Sequence, residues 1–347
     1  NLVESLPLDL EGLTVYTEAA TGPYLYTPIL AAVAGAESVY AIAQDSRFAS
    51  KETVKERTET AANDWGVCSK VDVVLEREER TLSKADIVTN TGFVRPIDRQ
   101  LVSWMKQTAV IPLMWEPWEF GEEIDLAACE DHGILVMGTD ESEEPTDMYP
   151  YSGFLGLSLL FELGLEGYKT ETLLLGSGEG LARSIYDRFN RLDIPIWWFS
   201  DREADARPYA NVSDAVRKRG STLDAILIAE HHDDRLILGN SGVLEFETIL
   251  DHAPSVSVGV ISGNLDVESL EQSGLKYFPE RIRPCGSMSY QAYHLGPRGP
   301  LELFAAGLRV GEVMARGRLD GLSLSAAAER TMAEAPALEL PPDLRPY

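Results

Sequence analysis

"LLLGSGEGLARSIYDRFNRLDIPIWWFSD", from Leu173 to Asp201, decides how this chain is read. An apolar strand runs into a glycine-rich corner, then a helix, then a second apolar strand that ends on an acid. In a nucleotide-binding corner of this kind the first glycine makes the tight turn and the second lets a phosphate approach the main chain. The third lets the helix pack close to the strand. The free amides and positive dipole at the helix start then face the phosphates. Gly176 and Gly178 stand at the first two positions, with Ser177 and Glu179 completing the turn. Leu181 occupies the third position, and Gly180 comes one place early. Asp201 stands where an acid would bond the adenosine ribose hydroxyls and disfavour a 2′-phosphate, which selects NAD over NADP.

The same letters satisfy the G-x-G-x-G corner that binds S-adenosyl compounds, and a tight turn holding no ligand is the third reading. Outward from the corner, short apolar runs alternate with helical stretches. "LTVYTEA" (from Leu13), "SVYAIAQ" (Ser38), "VDVVLE" (Val71), "ADIVTNTG" (Ala85), "TAVIPLM" (Thr108) and "GILVMGTD" (Gly133) read as strands. The rhythm returns after residue 150 with "TLLLG" (Thr172), "IPIWWFS" (Ile194), "DAILIAE" (Asp224) and "SVSVGVISG" (Ser255). Such βα alternation predicts an α/β fold with two Rossmann- or flavodoxin-like domains, parallel sheets and a cleft between the domains. The acidic break "DESEEPTDMYP" (Asp140–Pro150) marks the boundary. A flavodoxin-like substrate domain is expected over 1–148, joined by the C-terminal return helix 299–347. A dinucleotide-binding Rossmann domain is expected over 149–298, and the apolar helix Tyr151–Leu165 is expected between the two.

A net charge of −26 excludes partners that need a basic face, so neither nucleic acid nor an anionic membrane surface is expected. No apolar run approaches the ~18–20 residues of a membrane span. Cys68, Cys129 and Cys285 are too few and too scattered for a disulfide framework or a zinc site, and a reducing cytoplasm is the expected home.

The stretch from "ADIVTNTGFVRPIDRQLVSWMKQTAVIPLMWEPWEF" to "IDLAACEDHGILVMGTD" (Ile124–Asp140) resembles the D-2-hydroxyacid dehydrogenases. S-adenosylhomocysteine hydrolase and alanine dehydrogenase share that wider architecture. The resemblance continues through "KTETLLLGSGEG", "SVSVGVISGNLDVESLEQSG" (Ser255–Gly274) and "HLGPRGPLELFAAGLRVGEVMARGRL" (from His294). It implies an NAD-dependent oxidoreductase, a homodimer, and a small polar substrate with a C–OH or C–NH centre. By the same likeness His294 handles the proton and Glu280 is the acid that polarises it. The chain departs from the family in placing Ser262, near the cofactor, where an arginine is expected. It also has "MWEPWEF" in place of a glycine-rich substrate loop.

On the substrate side, Glu116 and Glu119 suit a cationic or polyhydroxylated ligand, with Trp115 and Trp118 as walls. Asn90 and Thr91 in "TNTGF" form a candidate ligand loop, and Arg95 is the nearest replacement for a carboxylate clamp. "EHHDD" (Glu230–Asp234) reads first as a solvated loop, then as a cofactor lining; no spaced ligands complete a metal shell, and no metal is expected. The leading expectation is therefore NAD-dependent hydride transfer. The alternatives are an S-adenosyl-compound enzyme (methyltransferase or hydrolase relative) and a non-catalytic dinucleotide-binding descendant.

Overall fold

A computed structural model of the protein describes residues 2–114, 123–142, 146–283 and 287–340. The chain divides into two compact units, Asn1–Asp147 with Pro297–Tyr347, and Met148–Gly296.

The first unit is built on β1 (Thr14–Glu18), β2 (Ser38–Ile42), β3 (Val71–Val74), β4 (Ile87–Val88), β5 (Val110–Leu113) and β6 (Leu135–Thr139). They form one parallel sheet in the order β3-β2-β1-β4-β5-β6, and the strand Ala337–Leu338 adds antiparallel to the edge of β6. Apolar residues fill successive positions because both faces are covered. Val15, Ile87, Val110 and Leu135 turn to one face, where Phe304 and Leu308 of the helix Arg298–Leu319 meet them. Their neighbours Tyr16, Val88, Ile111 and Val136 turn to the other, against Leu101. Helix starts follow local chemistry: the side chains of Ser50, Asp98 and Asp125 accept from the amides of Thr53, Leu101 and Ala128.

The second unit contains β7 (Thr172–Gly176), β8 (Ile196–Phe199), β9 (Ala225–Ala229), β10 (Leu236–Leu238), β11 (Ser257–Ser262), β12 (Asn264–Leu265) and β13 (Lys276–Phe278). Five of these make a parallel sheet in the order β13-β11-β9-β7-β8, while β10 and β12 pair separately. Leu173, Leu175, Ile226 and Ile228 pack on one face, and Leu174 and Leu227 on the other. The helix Tyr149–Glu162 belongs to this unit and packs on the helix Ser184–Arg191.

The α/β class with two parallel-sheet units is borne out. The first unit, expected as flavodoxin-like, has the 3-2-1-4-5-6 order of dinucleotide folds. The five strands of the second run 2-1-3-4-5, and Arg207 bridges parallel to Phe199 on the outer side of β8, where the third strand of a dinucleotide fold would lie. Strand order depends on which edges pair across crossovers, and local periodicity does not carry that information.

The return helix is held against its sheet by a residue without a side chain. A Cβ at Gly311 would lie 2.8 Å from Pro112 Cγ and 3.0 Å from Ile87 Cγ2. Gly311→Val is therefore expected to cost about 1–3 kcal/mol through overpacking, measured as a lower urea midpoint at unchanged m-value.

Candidate functional site

At the carboxyl end of β7 the main chain turns inside a narrow space. A Cβ on Gly176 would sit 2.0 Å from the carbonyl oxygen of Ala229 on the adjacent strand, so only glycine lets β7 and β9 leave the sheet together here. Gly178 has a φ of +98°, and a Cβ there would reach within 2.8 Å of His232 Nε2. Gly180 lies against the Tyr149 ring, 2.5 Å from a would-be Cβ. The segment Gly178–Arg183 is a wide π-type turn, and the regular helix begins at Ser184. Leu181 explains the imperfect motif. Its side chain is buried with Leu155, Leu174 and Ile185, so a hydrophobic plug fills the place where a third glycine would bring helix and strand together.

The polar groups of this corner are paired among themselves. The Gly178 amide donates to Glu203 Oε1 at 3.0 Å. Arg183 bridges Glu203 (3.4 Å), Asp205 (3.1 Å) and Glu179 (3.1 Å), with its guanidinium 5.0 Å above the Trp198 ring. Trp198 Nε1 donates to the carbonyl of Gly176 at 2.9 Å. Beneath the turn lies Glu230, 1% exposed. Its carboxylate accepts from the Ser177 hydroxyl, the His232 amide (3.0 Å) and the Tyr209 hydroxyl (2.8 Å). Burial and the charge of Glu230 push the Tyr209 phenol well above its ordinary pKa. Asp201 stands just past the end of β8, accepting from the Tyr209 amide at 2.9 Å and from Arg235 at 2.7 Å. Ser262 ends β11; its carbonyl accepts from the Glu230 amide at 3.0 Å and its hydroxyl lies 3.4 Å from His231 Nδ1. "EHHDD" is thus no plain solvated loop: Glu230 and His232 line the glycine corner.

His294 is exposed and stacks on Tyr290 (4.2 Å) and Tyr293 (4.1 Å). Its Nδ1 lies 2.9 Å from the Gln291 carbonyl and 3.1 Å from the Gln291 amide. Glu280 is exposed, and among the described residues no hydrogen bond or ion pair joins it to His294. The group that orients the imidazole is a neighbouring peptide, not that acid.

In the first unit the strand order reverses at β1, and the carboxyl ends of β1, β2, β4 and β5 converge on "TNTGF". Asn90 is buried and its Oδ1 accepts from the Met114 amide at 2.8 Å, tying the loop after β4 to that after β5. The Thr91 and Thr89 hydroxyls are 2.9 Å apart, and Thr89 donates to Thr17 at 2.9 Å. Gln44 Nε2 donates to the Phe93 carbonyl at 3.0 Å. The residue that the sequence reading missed is Glu18, the last of β1 and 5% exposed, whose Oε2 accepts from the Phe93 amide at 3.0 Å. Burial pushes its carboxyl up from 4.5 to about 7, against the opposing pull of the Phe93 and Gly92 amides and the Arg95 charge. Arg95 itself forms an ion pair with Glu123. Glu116 and Glu119, with the two tryptophans beside them, lie outside the described residues.

Among the described residues no helix is long and apolar enough to cross a membrane, and no group of three or more His, Cys, Asp or Glu is placed to hold a metal. No family model matches the chain, and no curated protein matches it in sequence. Solved structures do match. A dipicolinate synthase from Bacillus halodurans is similar with a TM-score of 0.53 at 12% identity, over 86% of this chain and 96% of its own. D-lactate dehydrogenase with NAD+ from Lactobacillus jensenii (TM-score 0.47, 10% identity, 88% and 97% coverage) is also similar. So is NAD+-bound 3-phosphoglycerate dehydrogenase from Entamoeba histolytica (0.43, 12%, 89% and 94%). At 12% identity the likeness to the dipicolinate synthase is one of fold alone.

Glu18 carries a checkable consequence for stability. Its folded pKa is raised, so the neutral acid is favoured in the folded chain; that contribution is complete below about pH 4.5 and is lost as pH rises through about 7. Glu18→Gln keeps a neutral acceptor for the Phe93 amide. The gap in unfolding free energy between Glu18→Gln and the parent is expected to widen in the variant's favour by about 3 kcal/mol from pH 4.5 to 8, read by urea denaturation.

Proposed function

We propose that the second unit binds NAD and that the protein is an oxidoreductase acting on a small polar substrate with a C–OH or C–NH centre. The observation that carries this reading is the pairing of a side-chain-intolerant glycine corner at the end of β7 with Asp201 just past the end of the adjacent β8. Open α/β sheets take nucleotides at the carboxyl ends of their strands. The main chain of Gly176–Leu181 would hold the diphosphate, Asp201 the ribose, and Ser262 would lie beside the cofactor. NAD supplies the hydride acceptor or donor when bound. His294 is the proton-handling group in this reading: with Nδ1 engaged by Gln291, Nε2 is the nitrogen that exchanges a proton.

The corner fits a dinucleotide in backbone and departs from it in charge. A carboxylate of the protein, Glu203, already accepts the Gly178 amide that a phosphate oxygen would take, and Glu230 lies buried under the same turn. Binding of NAD therefore requires Glu203 to leave the amide and its charge to be carried next to the diphosphate. The same acid favours a second reading, an S-adenosyl compound, whose cationic methionine end has no phosphate to repel.

Glu203→Gln separates the two. With NAD as the ligand the variant is expected to bind roughly tenfold tighter, because one repulsive charge is removed. With S-adenosylmethionine as the ligand it is expected to bind weaker. Calorimetric titration of parent and variant with both compounds decides, and binding of neither would leave the corner a structural turn. Asp201→Ala is expected to weaken whichever nucleotide binds by roughly tenfold, as the loss of a charged hydrogen bond to the ribose.

A further inference from the structure

We propose that the carboxyl ends of β1, β2 and β4 in the first unit form a site for a small molecule bearing a protonated amine, with Glu18 as the group that receives it. This site belongs to the first unit, and the proposal does not depend on which nucleotide, if any, binds at the glycine corner of the second.

Two features place it. Glu18 ends β1 at the point where the strand order reverses, with β2 on one side and β4 on the other, the position at which open α/β sheets bind ligands. The loop after β4 is pinned around the carboxyl: Glu18 accepts the Phe93 amide, Gln44 donates to the Phe93 carbonyl, and a Cβ on Gly92 would crowd Glu18 Oε2 at 3.3 Å. The hydroxyls of Thr17 and Thr89, bonded to one another, lie on the sheet face opposite the Glu18 side chain and tie the two strand ends together, with Thr91 joined to them.

The charge of the ligand follows from what these groups leave available. The Phe93 amide that would hold an anion is already taken by Glu18. Arg95 is the cation whose field reaches the carboxyl, and it is paired with Glu123. Gln44, Asn90 and the three threonines around the loop are neutral. An incoming carboxylate or phosphate would meet another carboxylate, and an ammonium group would meet an acceptor in a setting where water screens little. The step balances as a proton exchange: the neutral Glu18 acid gives its proton to solvent, and the resulting carboxylate pairs with the intact R–NH3+ of the ligand.

The test uses the full chain at pH 7, titrated calorimetrically with propylamine and 1,4-diaminobutane and, for comparison, with propionate and succinate. Running each titration in two buffers of different ionisation heat counts protons on the unmutated protein. The amines are expected to bind with release of about half a proton, and the acids not to bind. The Glu18 side-chain carbon resonance is expected to titrate at least one pH unit lower with diaminobutane present, and Glu18→Gln to weaken amine binding at least tenfold. Binding of the acids in place of the amines, no binding by either, amine binding without proton release, or equal amine binding by Glu18→Gln would each overturn the proposal.

Discussion

Two-sided burial of the parallel strands is the constraint on which everything else in this protein rests. Where Val15 and Tyr16, or Leu173 and Leu174, must both enter apolar layers, no position in mid-strand can carry a charge without large cost. Polar chemistry is pushed to the strand ends. There the chain leaves the sheet and unpaired main-chain groups need partners. Glu18 at the end of β1, Asp201 just past β8, Glu230 just past β9 and Ser262 at the end of β11 occupy this kind of position. The candidate sites are thus the places where the sheet stops being able to satisfy itself.

In both units the partner that the chain supplies is a carboxylate on a loop amide: Glu203 on Gly178, and Glu18 on Phe93. The two acids differ in what surrounds them. Glu203 faces the guanidinium of Arg183, which also serves Asp205 and Glu179. Glu18 is buried, and among the described residues no cation forms an ion pair with it, so its carboxyl moves toward the neutral form. The acids behind a net charge of −26 are therefore not all a matter of surface solvation; some are turned inward against the main chain at the strand ends.

The strands and the glycine corner were legible in the sequence because both are written in neighbouring residues: a short continuous apolar run, and a turn that excludes side chains. Leu181 was legible as an anomaly, and burial in the core supplies its cause. What could not be read was pairing at a distance. Nothing local says that Glu203 reaches back 25 residues to Gly178, or that Glu230 ties Ser177 to Tyr209. Glu18 looks like any acid between a strand and the next helix. Its role comes from a loop 75 residues away. The strand order of each sheet has the same origin, since crossovers decide it.

The first unit is discontinuous in sequence, and this bears on how the molecule is made. Its sheet is finished by Ala337–Leu338 pairing with β6, and one of its faces is covered by Arg298–Leu319, yet the whole of the second unit is synthesised in between. On the ribosome the inserted unit, complete by Gly296, has all its strands before the first unit has its covering helix. Until then β6 is an open edge and the layer around Val15, Val110 and Leu135 faces solvent. The second unit can therefore complete its core first, and the interval before Arg298–Leu319 emerges leaves one apolar layer of the first unit open to mispairing.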